Sequence, residues 1–355
     1  MNKARWFLTG ILFLSSLIVT AGFIHVFIGS TEDLPAMGRT QKLMLAERWQ
    51  GQATTFVFGT SRAHQDFEPE IFDAELQGKY PTQTINLALL AGSYIEQRAI
   101  AKHVLARFKP QSGQACLAFM ELNSGLNFPV IDIAHPQNIN LFHPRAVNLY
   151  TPEAVQFVAQ FSDQTISPIS RAGRLGVALV SAAGNYMNLG MLAGAIQQYL
   201  PYIPEKRSDG SHDTDRGFPV FQNYEQDHAT LEKIFAAAPD QPRISDRQLL
   251  PGQVRLMEEL RAVNPAVQLV YLVTPHTDDL TTAFTYPDHL TVAGQDIPIF
   301  NLARPDLYPD LYKRENWRDY GHLNPQGAAL MTRLLAGQVA DWLGAHPAAR
   351  LCGEE

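Results

Sequence analysis

Two short segments near opposite ends of the chain carry the residue types of acyl transfer. Phe58-Gly59-Thr60-Ser61-Arg62 sets a serine just past an apolar run, and Asp319-Tyr320-Gly321-His322-Leu323-Asn324-Pro325 sets a carboxylate three residues before a histidine. A serine hydroxyl is a weak nucleophile until an imidazole takes its proton, and that imidazole needs a carboxylate to hold its tautomer. Read together, the segments are a split Ser-His-Asp site: Ser61 attacks, His322 is the general base and Asp319 orients it. The spacing from Asp319 to His322 suits a helical turn, where residues three apart share a face. Each part also has a plainer reading, Ser61 as a strand-to-helix cap and Asp319 with His322 as a capping pair before the last helix.

Other residues offer weaker chemistry. Arg62 suits an anionic sugar, or a carboxylate that ties down the nucleophile loop. His276, in Thr274-Pro275-His276, is placed either to line an acceptor cleft or to be an ordinary loop histidine. His212, Asp213 and Asp215 form the tightest His/Asp cluster, but one sequential cluster in a Ser/Gly-rich loop is a poor ligand set, so no metal is expected. Tyr308, Tyr312, Trp317 and Tyr320 crowd the approach to His322, either to stack on sugar faces or to pack around a helix entry. With no Gly-x-Gly-x-x-Gly after a strand and no phosphate-loop lysine, no cofactor is expected.

The elements that must carry these residues alternate. Thr54–Phe58, Thr84–Ala88, Ala115–Leu122, Val267–Val273 and Ile297–Leu302 read as apolar strands, with helices at Ser93–Phe108, Gln253–Val263 and Leu323–Leu343. Apolar strands alternating with helices argue for an α/β fold, three layers α/β/α around a central parallel sheet. In such sheets ligands lie beyond the carboxyl ends of the strands. Ser61 follows the first strand, His276 the fourth, and Asp319 and His322 the fifth. A long insertion, at about 124–250, is too long for a loop and reads as a lid or subdomain. Within it, Leu175 to Ile196 carries Gly190 and Gly194 at a small-xxx-small spacing, the mark of a second membrane segment, against which Ser181, Asn185 and Asn188 argue.

With 355 residues, 46% of them hydrophobic, the chain can bury one large core or two modest ones. A formal charge of −7 and a pI near 5.9 give no basic field for nucleic acid. Trp6 to Gly29 holds no Asp, Glu, Lys or Arg, enough for a membrane span of roughly 20 residues. Lys3 and Arg5 precede it and Glu32 and Asp33 follow, so residues 1–5 should stay cytoplasmic while the rest is exported. Val19-Thr20-Ala21 offers a cleavage site, although the apolar run continues to Ile28 as in an uncleaved anchor. A stalk at 30–50, a domain at 51–345 and a tail at 346–355 complete the expected order. Cys116 and Cys352 are the two cysteines; Cys116 reads as a small core residue, with a single bridge as the alternative.

Gly59-Thr60-Ser61-Arg62 and the block from Asp319 to Gly327, in this order on an α/β pattern, resemble the SGNH (GDSL-like) hydrolase superfamily. The likeness is to its membrane-anchored branch, which includes alginate O-acetyltransferases, and it covers roughly residues 54 to 345. It implies a flavodoxin-like fold and a triad of Ser61, Asp319 and His322. It further implies an oxyanion hole from the serine N–H, a glycine N–H and an asparagine side chain, for which Gly92 and Asn123 stand in the expected places. The familiar Gly-x-Asn-Asp block is absent, and Asn123 suits a cap for its strand equally well. The implied activity is O-acyl transfer or hydrolysis on a cell-envelope or secreted polysaccharide. The implied setting is the bacterial inner membrane, single-pass, with the domain outside the cytoplasm and an acyl-donor protein as partner. The alternative is a catalytically silent carbohydrate-binding or assembly component on the same fold.

Overall fold

The computed structural model describes residues 15–16, 37–90, 94–109, 114–122, 212–220 and 226–346. The chain divides into two compact units. One comprises Met1–Met37, Ser93–Ala99 and Gly125–Ile203; the other, which holds the sheet, comprises Gly38–Gly92, Ile100–Ser124 and Pro204–Glu355.

Helix α1 (Met37–Arg48) precedes strand β1 (Thr55–Phe58), which leads into α2 (Ser61–Asp66) and α3 (Pro69–Leu76). Next come β2 (Thr84–Asn86), α4 (Tyr94–Arg107) and β3 (Leu117–Glu121). After residues 123–211 follow β4 (His212–Asp213), β5 (Pro219–Val220), α5 (His228–Ala237), β6 (Arg243–Asp246) and α6 (Pro251–Val263). The chain then forms β7 (Gln268–Val273), β8 (Thr282–Thr285), β9 (His289–Val292), β10 (Gln295–Asn301) and α7 (Pro325–Ala345).

Strands β1, β3 and β7 are buried at every position, the pattern of strands covered on both faces. The main sheet runs β2-β1-β3-β7-β10-β9, with every pair parallel except the edge pair β10 and β9. On one face Val57, Phe119, Val270 and Leu272 join Phe67, Phe72 and the α7 residues Met331, Leu335 and Val339 in the core. On the other, Phe56 meets the edge of Phe108 at 5.1 Å and the Tyr271 hydroxyl donates to Gln253 O at 2.7 Å. Asn264 Nδ2 donates to Leu105 O and Phe108 O, joining the end of α6 to the end of α4. The result is an α/β fold with a mostly parallel central sheet flanked by helices.

The chain steps from β1 to β2 on one side and then to β3 on the other, so strand order reverses at β1. The reversal falls at the carboxyl ends of β1 and β3, the side on which open α/β sheets hold their ligands. Ser61 stands just beyond the end of β1.

Each of the five strands and three helices expected from the sequence has a counterpart within a few residues. Strands β8 and β9, which pair with β6 and β10 respectively, and the helices α2, α3 and α5 were not foreseen. Apart from Ser15 and Ser16, the apolar segment 6–29 lies outside the described residues, as does 175–196. Among the described residues no helix is long and apolar enough to cross a membrane. Cys116, expected as a core residue, is buried but also disulfide-bonded; Cys352, the other cysteine of the sequence, lies outside the described residues.

Candidate active site

The loop leading to Ser61 is two residues long. β1 ends at Phe58, and Thr60 caps α2 by accepting the Arg62 N–H on its side chain at 3.4 Å. Ser61 is therefore the first helical residue rather than the cap. Gly59 is required by close approach: a Cβ there would collide with the Ala63 side chain and stand 2.6 Å from Glu121 Oε2.

The histidine loop is a tight turn, not the helical turn that the spacing suggested. Trp317 and Leu323 form an antiparallel bridge, and Arg318 N–H donates to His322 O at 2.9 Å. Within this turn Asp319 Oδ1 accepts the N–H of Gly321 at 2.9 Å and of His322 at 3.0 Å. Capping of α7 falls to Asn324, whose side chain accepts from Gly327 N–H at 3.0 Å. Asp319 and His322 are thus free of the capping role.

These two loops bring the three sequence-predicted residues together. His322 Nε2 lies 2.9 Å from Ser61 Oγ, and His322 Nδ1 lies 2.8 Å and 3.1 Å from the two Asp319 oxygens. With Nδ1 protonated toward the carboxylate, the Nε2 lone pair faces the serine hydroxyl, the arrangement that lets an imidazole act as base. Burial would raise the Asp319 carboxyl, but the hydrogen bond and charge of His322, the Gly321 N–H and Arg318 outweigh it and hold Asp319 well below its ordinary range. Arg318 clamps Asp319 Oδ2 from Nε at 3.1 Å and Nη2 at 3.0 Å.

His276 stands beside the same turn. Its Nδ1 accepts the Asp278 N–H at 3.1 Å, which places the proton of the neutral ring on Nε2. That Nε2 lies 3.5 Å from where a Cβ on Gly321 would stand. Burial lowers the His276 pKa, and the charges of Arg62 and His322 add to this, against Asp278 and Asp319. Arg62 turns inward, with Nε 3.4 Å from Glu121 Oε1 and a side chain only 11% exposed. Of the four aromatic candidates, Trp317 and Tyr312 are buried and Tyr308 packs on the core. Tyr320 is 59% exposed and meets the His276 ring edge-on at 5.8 Å.

Gly92 and Asn123 lie outside the described residues. Among the described residues no group of three His, Cys, Asp or Glu side chains is placed to hold a metal ion. Asp213 instead pairs with Lys42 and His64, and Asp215 with Arg48.

Sequence reasoning passed over several polar groups that frame the site. The buried Asp66 carboxyl, at the end of α2, accepts the Leu323 N–H at 3.1 Å and so ties α2 to the histidine loop. Burial pushes its pKa well up. Asn86 Nδ2 donates to Ala63 O and Phe67 O, closing the carboxyl end of α2. Glu121 and Thr274 lie beneath the nucleophile loop. Nothing local in the sequence marks these residues, because their roles come from segments brought together by the fold.

Comparison of the chain with models of protein families and with curated proteins gave no match.

Proposed function

We propose that the protein is a serine acyl-transfer enzyme in which Ser61 carries the acyl group, His322 moves the proton and Asp319 holds His322. The observation that carries this reading is the hydrogen-bonded chain Ser61–His322–Asp319 just beyond β1, the strand at which strand order reverses. In the forward step Ser61 Oγ bonds to the acyl carbon as its proton passes to His322 Nε2. The same proton then goes to the leaving oxygen as the carbon–oxygen bond breaks. Water or a second hydroxyl, deprotonated by His322, then bonds to the acyl carbon, and His322 returns the proton to Ser61 Oγ as the bond between the acyl carbon and Ser61 breaks. The oxyanion would be held by the Ser61 N–H, which makes no hydrogen bond to another described residue.

The finer reading is an SGNH-like, flavodoxin-like enzyme of the O-acetyltransferase or O-acetylesterase kind, acting on an envelope or secreted polysaccharide. It rests on the motif resemblance. Its acceptor side is supported by Tyr320, an exposed ring beside the triad of the kind that stacks on a sugar face. Tethering and export rest on the apolar segment behind Lys3 and Arg5, and the disulfide at Cys116 fits an oxidising compartment.

A serine-directed phosphonate is the first test. Wild type should be labelled stoichiometrically on Ser61 and Ser61→Ala not at all; a folded wild type that resists labelling would overturn the reading. Labelled acyl donor, with and without a glycan acceptor, then separates transfer from hydrolysis.

A further inference from the structure

Beneath the nucleophile loop lies a carboxylate that the proposed reaction does not consume. Glu121 ends β3, the strand next to β1 in the sheet, with Met120 registered against Phe58. Its side chain is fully buried. Four donors converge on it: Thr60 N–H at 2.5 Å, Thr60 Oγ1 at 3.2 Å, Thr274 Oγ1 at 2.9 Å and Arg62 Nε at 3.4 Å. Thr274 follows β7, so one anion joins the carboxyl ends of β1, β3 and β7. The absent side chain of Gly59 gives the carboxylate its space.

A buried carboxylate is tolerated only with its lone pairs and its charge satisfied, and here the donors that satisfy it come largely from the loop bearing the nucleophile. Drawing Thr60 and Arg62 inward fixes the two residues on either side of Ser61. We infer that Glu121 is the positioning residue of this loop: it holds Thr60 and Arg62 so that Ser61 presents its hydroxyl to His322. The inference rests on the acyl-transfer reading for its kinetic consequence but not for the holding itself. It also assigns Arg62 to the loop rather than to an anionic substrate.

Glu121→Gln tests this with little change of volume. The carboxamide has one acceptor oxygen in place of two and brings an NH2 group among donors, so the Thr60 N–H contact or the Arg62 contact is lost. Thermal unfolding confirms that the variant folds. Hydrogen exchange at the Thr60 amide should then be faster than in wild type, and phosphonate labelling of Ser61 slower by roughly 10- to 100-fold, the scale of a nucleophile displaced by about an ångström. On a short-chain p-nitrophenyl ester the loss should fall on kcat with KM little changed, because Glu121 does not touch substrate. Adding Arg62→Gln should not restore the rate.

Wild-type exchange and labelling in folded Glu121→Gln would overturn the inference, as would restoration by Arg62→Gln, which would mean that the carboxylate acts only by balancing charge. Should Glu121→Gln fail to fold, Thr274→Val removes one anchor of the carboxylate without touching the loop. It should slow labelling by about 3- to 10-fold, and a wild-type rate there overturns the inference equally. A wild type that takes no label while its Thr60 amide is protected, and is deprotected in Glu121→Gln, would sink the acyl-transfer reading and leave the loop-holding role standing.

Discussion

Asp279 and Asp319 are carboxylates of neighbouring loops driven in opposite directions. Asp319 is held ionised by its contacts, whereas burial raises Asp279 from 3.8 to about 7 despite the Tyr312 hydroxyl and the His276 N–H, each donating at 2.7 Å. An acid whose folded-state pKa is raised binds more protons folded than unfolded, so its contribution is full at low pH and is lost as pH rises from about 4 to about 7. Relative to wild type, Asp279→Asn should remove a loss on the order of 4 kcal/mol between pH 4 and 8, read from urea unfolding at several pH values. A parallel pH dependence in the two proteins would refute the assignment. Sequence could not separate the two acids in this way. His276-Thr277-Asp278-Asp279 reads as a solvated polar turn, and the Tyr312 that encloses Asp279 lies 33 residues away. The meeting of Ser61, His322 and Asp319 was legible because the proposed chemistry needs particular residue types in a particular order. Glu121 was not, because its role comes from strand pairing.

At the level of elements, the strands with unbroken apolar runs were the legible ones, and the short hairpin was not. β9 and β10 pair with Val292 opposite Gln295, leaving Ala293 and Gly294 as a two-residue turn with φ of 48° and 78°. Turns of this kind favour Asn-Gly, and an alanine in the second-to-last place hides the signal. Alanine in the left-handed region costs about 1 kcal/mol relative to glycine, so Ala293→Gly should raise stability by roughly 0.5–1 kcal/mol, less the greater freedom of glycine when unfolded. A guanidinium midpoint lower than that of wild type would show that the turn is relaxed as it stands. The spacing of Asp319 and His322 was legible for the wrong element: the carboxylate reaches its partner through a turn closed on its own N–H donors, which three-residue spacing allows as readily as a helix does.

Across the second unit, Lys42 ties together segments that are distant in the chain. Its ammonium, on a side chain 5% exposed, donates to Asn86 O, Gly217 O and Asp213 Oδ2, and Asp213 Oδ1 lies 3.1 Å from His64 Nε2 on the nucleophile helix. α1, the β4–β5 hairpin and α2 are thereby linked through one ion. Removing one partner of a buried pair is costly, and Lys42→Met should lose about 3 kcal/mol, the lower end of the range because the Asp213 side chain is 21% exposed. A loss under about 1 kcal/mol in denaturant titration would mean that water satisfies Asp213 instead. None of this tie was legible: His212, Asp213 and Asp215 read only as a sequential cluster too weak for a metal, and nothing in the sequence brings Lys42 beside Asp213.

Ser61 and His322 are separated by 261 positions. A chain still emerging from the ribosome, or one truncated before His322, would own the hydroxyl without its base. On the proposed reading, reactivity begins only after the last helix has closed onto the sheet, so the enzyme stays chemically silent until synthesis and folding are both complete.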